Sequence, residues 1–316
     1  MAQPDNLYDA FDMIGIKEDL ENIIYDISPT QTPFMTACGR TKIKQVLHEW
    51  QTDVLGAAVA TNHVIEGDDA TTDAQVATVR VSNRANISDK VILVSGTSRA
   101  VDSAGRGEEL DYLIAKNGKE LKRDMESLLT SNNASVTGSA SVARELGGIE
   151  SWITSNESRG AGGSDGGFSS GNTVAATDGT QRAFTEAQLK EVIRECFESG
   201  AEPDTVMLGS FNKQVFSTFT GNATRQNDSK SEKLFAAIDI YKSDFGTLKV
   251  VPNRFSRSRT ALVLDFEYLK VGFLRSFQTA KLAKTGDSDR VQLLAEYTLV
   301  VGNQAAEGAV ADLTTS

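Results

Sequence analysis

Residues 276–313 read SFQTAKLAKTGDSDRVQLLAEYTLVVGNQAAEGAVADL. Two β-type runs, Phe277–Ala283 and Val291–Val301, flank Gly286-Asp287-Ser288-Asp289, a cluster of turn-forming residues. The pattern predicts an antiparallel hairpin that returns to pack near a long helix placed earlier in the chain.

That helix is predicted over residues 107–131. Leu110, Leu113, Ile114, Leu121, Met125, Leu128 and Leu129 fall on one stripe with charged residues around it. At about 1.5 Å per residue it exceeds about 30 Å. Lys116/Glu120 and Lys122/Glu126 are spaced four apart, the spacing of a solvated face. Gly118 interrupts the stripe near its middle at a cost of roughly 1 kcal/mol relative to alanine, which marks a flex point.

Between helix and hairpin, residues 184–199 predict an amphipathic helix opened by Thr185 and closed by Gly200. Residues 205–208 read as a short buried strand, 211–219 as a second helix, and 248–251 and 261–273 as strands. Alternation of strands and helices indicates a mixed lobe, and the chain as a whole is α+β. The glycine- and serine-rich run 160–171 is expected to be a flexible loop; it lacks the Gly-Lys-Ser/Thr ending of a phosphate cradle.

Towards the N-terminus, residues 1–55 read as an arm, with Ile16, Leu20, Ile23 and Ile24 on one face of a short acidic helical segment. Pro29 and Pro33 predict an extended course through Phe34. Residues 44–52 suit a strand with a distant partner, placing His48 and Trp50 on one face. Residues 56–94 predict a long hairpin with an exposed tip at Glu66, Gly67, Asp68 and Asp69.

Composition narrows function. The chain has 316 residues, enough for two packed lobes. Its net charge is −11 and it has no basic stripe, which argues against clamping nucleic acid. No run approaches the ~20 apolar residues of a membrane span, and the acidic start lacks a signal-peptide pattern. Only His48 and His63 offer imidazole, and no histidine follows the Gly286-Asp287-Ser288 triplet that an esterase nucleophile would need. Cys38 and Cys196 lie far apart without neighbouring ligands and read as buried thiols. No catalytic residue, cofactor or metal site is expected.

Several blocks in order resemble the major capsid proteins of tailed bacteriophages: residues 27–34, 47–53, 94–97 with Gly105-Arg106, 120–126, 243–255 (SDFGTLKVVPNRF) and 276–313. The resemblance implies the Hong Kong 97-type capsid fold, with an N-terminal arm (1–55), an extended loop (56–94), a peripheral domain with the spine helix (95–140), an axial domain (141–272) and a return to the peripheral domain (273–316). It implies self-assembly into hexamers and pentamers of an icosahedral shell around double-stranded DNA, held without sequence-specific binding. A separate scaffolding protein, a portal protein and a decoration protein are the implied partners, and the route runs from host cytoplasm to virion. On that reading Pro29, Pro33, Phe34, Trp50, Glu66 and Asp68 are candidate assembly contacts and Gly118 the flex point. An encapsulin-like shell around protein cargo and a soluble hydrolase are the competing readings.

Overall fold

A computed structural model describes residues 29–69, 72–101, 108–219 and 240–316. The C-terminal hairpin is its longest pairing. Strand β12 (Leu269–Leu282) runs antiparallel to β13 (Ser288–Val301), with irregular register between Phe273 and Gln278. The first strand starts earlier than expected because the run 261–273 is broken by a turn, in which the Tyr268 N–H donates to the Asp265 carbonyl, leaving β11 (Ala261–Leu264) separate.

On its other side β13 pairs antiparallel with β4 (Asn86–Ser95), and β1 (Gly39–Lys42) adds in parallel to β12, giving the order β1-β12-β13-β4. β4 is followed by the short helix α2 (Gly96–Ala100), and helix α3 (Glu109–Leu129) lies across one face of the sheet. Leu110, Leu121, Met125 and Leu129 are buried in a core shared with Val291, Leu293, Ala295, Tyr297 and Leu299 of β13, while Leu113, Ile114 and Leu128 are partly buried. Burial alternates at the start of β13 and becomes continuous from Ala295 to Val301, where both faces of the sheet are covered.

A six-stranded sheet forms the second lobe in the order β5-β14-β11-β8-β10-β9. Its strands are β5 (Glu157–Ser158), β8 (Thr205–Leu208), β9 (Ile240–Ser243), β10 (Gly246–Pro252), β11 and β14 (Gly308–Val310). Every residue of β8 is buried at this central position, the apolar Val206, Met207 and Leu208 together with Thr205. Helix α4 (Glu186–Glu198) starts with a capping box between Thr185 and Gln188 and is followed by Gly200 in the left-handed region, φ +89°. It packs Val192 so close to Gly308 that a Cβ there would lie 2.4 Å from the valine. Helix α5 (Ser210–Phe216) sets Phe216 against Tyr241.

Other expectations about the fold need correction. The chain does not stay extended after Pro33: Pro33–Ala37 is a short helix, α1, with proline in its first turn, where the missing N–H costs nothing. The hairpin expected within 56–94 is instead β2 (Leu47–Thr52) paired with β3 (Val79–Arg84), and β4 belongs to the four-stranded sheet. The final residues do not stay with the four-stranded lobe, since β14 pairs with β11 and β5.

The run 160–171 is hydrogen-bonded rather than a free linker. It leads into a small hairpin, β6 (Gly167–Ser169) with β7 (Asn172–Val174), turned by Ser170 and Gly171, both at positive φ. The Asp312 carboxylate accepts the Gly160 N–H at 3.0 Å, the Gly179 N–H at 2.9 Å and Arg259 at 2.7 Å. The acidic segment at residues 16–25 lies outside the described residues.

Candidate functional site

The extended loop is rooted firmly and then left bare. In its stem, Leu47 pairs with Arg84 and Thr52 with Val79. The Trp50 indole N–H donates to the Val301 carbonyl at 2.8 Å, and the ring lies 5.4 Å from Trp152, which stacks on Phe168. His48 flanks Trp50 at 5.7 Å, the shared face that alternation predicted, and burial lowers its pKa. Buried Asn83 donates to the carbonyls of Leu299 and Gly147 and accepts the Gly147 N–H. Arg144 closes the root, donating to the Ala85 carbonyl and to Glu296.

Beyond the stem, the described residues of 53–78 contain no strand. Their apolar side chains face solvent, from Val59 at 65% exposed to Leu55 at 93%, with Val54, Val64, Ile65 and Val76 between. Glu66 and Asp68 flank Gly67, whose φ of +82° and the Asp68 N–H to Ile65 carbonyl bond define an exposed turn.

The root of the arm is the opposite case. Phe34 is 0% exposed and packs edge-on against Phe266, so it has no surface to offer a neighbouring copy, and its candidacy as an assembly contact is corrected to a core role. Pro33 starts the same helix and is partly buried, while Pro29 lies half-buried at the first described position. Trp50 is half-buried, and the contacts described for it are within its own chain.

Glu126, assigned above to the solvated face of the helix, is fully buried. Its Oε1 accepts the Phe34 N–H at 2.7 Å and Asn253 Nδ2 at 2.8 Å; its Oε2 accepts the Met35 N–H at 2.8 Å. Burial raises its pKa, and these three hydrogen bonds oppose the rise. The sequence signal was present but weak: Glu126 stands three residues before Leu129, on the apolar side, where helical spacing puts a carboxylate under the sheet.

Gly118 lies in an unbroken helix, and a Cβ there would meet only Leu293 at 3.9 Å. Cys38 and Cys196 are both free and buried; burial pushes the first thiol well up and the second to about 12, so neither is poised as a nucleophile. Asp289 pairs with Arg99 and with Lys284 at 2.6 Å, and Ser288 Oγ donates to the Thr285 carbonyl. Among the described residues no three His, Cys, Asp or Glu side chains gather as a metal site, and no helix is long and apolar enough to cross a membrane.

A long helix across one four-stranded sheet, a second lobe on a six-stranded sheet and a bare loop on a two-stranded stem are the parts of a Hong Kong 97-type capsid subunit. Solved structures agree on that fold. The cyanophage A-1(L) capsid asymmetric unit superposes with a TM-score of 0.66 at 14% identity, covering 95% of this chain and 97% of that one. Mycobacterium phage Bobi gives 0.60 at 13% identity, covering 94% and 95%. The holo-SrpI encapsulin complex from Synechococcus elongatus PCC 7942 shares the fold at 0.58 and 10% identity, covering 95% and 94%.

Sequence is more specific than fold. The sequence model of the SU10 major capsid protein family matches residues 4–314, and the chain belongs to that family. The major capsid protein of Escherichia phage Phieco32 is 27% identical over 342 aligned positions, covering 98% of this chain and 97% of the relative. The chain is a tailed-phage major capsid protein, and it builds a shell by self-assembly.

Proposed function

We propose that copies of this chain close into hexamers and pentamers of an icosahedral shell around double-stranded DNA, with the extended loop 53–78 as the strap between neighbours. The observation that carries this reading is the bare apolar loop on a rigid root. Six aliphatic side chains exposed on an excursion from a two-stranded stem gain burial only against another surface.

Pro29, the free edge of Trp50, and Glu66 and Asp68 at the turn are the contacts proposed on this side. The net charge of −11 supports containment of DNA without a clamp, which lets the genome move in and out. The chain acts by assembly rather than catalysis, passing from the host cytoplasm into the virion shell with a separate scaffolding protein, a portal and a decoration protein as partners.

The test is electron microscopy of large species sedimented after co-expression with a scaffolding candidate. Closed icosahedral particles support the reading. Monomers and small oligomers with every scaffold tried count against it.

A further inference from the structure

The start of α1 lacks the cap that its sequence should supply. Thr32 stands at the N-cap position, yet its side chain makes no capping bond to the helix. Free N–H groups at a helix start require an acceptor, and inside a core they require it strictly. The acceptor is the Glu126 carboxylate, 92 residues away from Phe34, on the last turns of the spine helix.

Both of its oxygens are used by the arm, one for Phe34 and one for Met35, and Oε1 also takes Asn253 at the end of β10. Asn253 is itself fastened to the six-stranded sheet: its N–H donates to the Leu208 carbonyl, and its Oδ1 accepts the Phe255 N–H. One buried carboxylate therefore joins three separate parts of the subunit, namely the arm, the spine helix and the axial sheet.

We propose that Glu126 is a latch that makes docking of the arm root and seating of the spine helix on the axial sheet a single event. Lifting the arm empties the Phe34 pocket and removes two of the three described hydrogen bonds on a buried charge. Withdrawing the axial sheet removes the third. Neither loss is tolerated alone, because a buried carboxylate short of donors is destabilised by far more than an exposed one. A movement at either end is then transmitted to the other through Glu126, although Asn253 bonds to neither arm amide.

Amide hydrogen exchange on the full-length, unassembled chain tests this. In Asn253→Ala, exchange at Phe34 and Met35 is expected to rise about tenfold, while amides in the middle of α4 stay at the parent rate. In Glu126→Gln, whose amide group turns a donor towards one of the same N–H groups, the rise is expected to be larger. If Glu126→Gln does not fold, Asn253→Ala carries the test by itself. Unchanged exchange at Phe34 and Met35 in Asn253→Ala overturns the coupling, whatever Glu126→Gln does, because the arm contact is then purely local. Equal acceleration across arm and α4 overturns it too, since that is global loosening. The experiment needs no shell, so its failure is separable from failure of the assembly reading.

Discussion

The indole N–H of Trp50 reaches the main-chain carbonyl of Val301 at 2.8 Å across 251 positions of sequence. This bond ties the stem of the extended loop to the last residue of β13, at the point where the four-stranded sheet ends. Trp50→Phe keeps most of the ring packing and removes the donor. The half-enclosed carbonyl left behind is expected to lower subunit stability by about 1–3 kcal/mol, read as a fall in denaturation midpoint without a change in slope. An unchanged midpoint shows that water replaces the indole at no cost.

Charge placed on the bare loop should separate folding from assembly. Leu55→Asp and Ile65→Asp alter side chains that are 93% and 78% exposed in the subunit. Subunit stability is expected to move by no more than about 0.5 kcal/mol, while particle yield falls steeply because a carboxylate must then enter an interface. Normal particle yield from both variants removes the loop from the proposed contacts.

Gly118→Ala adds a methyl group where the nearest neighbour is Leu293 at 3.9 Å, ordinary contact distance. The helix is expected to gain up to about 1 kcal/mol from propensity, and any expansion of the shell that bends it should slow. The two readouts are the thermal midpoint of the subunit and the rate of expansion by light scattering. A stabilised subunit with parental expansion kinetics leaves Gly118 without a role in bending.

Stability against pH should carry the mark of Glu307. Burial, then the nearby Asp265 and Asp204 carboxylates, hold its pKa well above the ordinary 4.5, against one hydrogen bond from the Asp265 N–H. A raised folded-state pKa means that the folded protein binds the proton more tightly than the unfolded chain. The stabilisation is complete below about pH 4.5 and is lost as pH rises through the folded value. Glu307→Gln does not titrate, so its melting temperature is expected to gain on the parent as pH increases from 4.5. A constant difference across that range contradicts the assignment.

Much of the architecture was legible because its signals are local. The stripe of α3, the Thr185 start and Gly200 stop of α4, the short buried strand β8 and the turn at Gly286 each depend on residues within a few positions of one another. Their periodicity, cap and turn chemistry act before any distant contact forms. The family blocks likewise pointed to a capsid subunit, which whole-length similarity then established.

Contact across the chain decided the rest. Pro33 permits either an extended course or the first turn of a helix, and burial of Phe34 beside Glu126 selects the helix. Glu126 has the spacing of a solvated ion pair and becomes a core acceptor only because α1 and β10 converge on it. The glycine-rich run has the composition of a linker and is ordered by Asp312, which arrives from the far end of the chain. In each case the free energy depends on donors and acceptors brought together from distant positions, and no local pattern records where a buried polar group will find its partner. Local patterns sufficed for the spine helix, α4, the C-terminal hairpin and the family resemblance, whereas α1, the pairing of β2 with β3 and the polar groups that hold the arm root, the loop root and the two sheets to one another depend on contacts between distant residues.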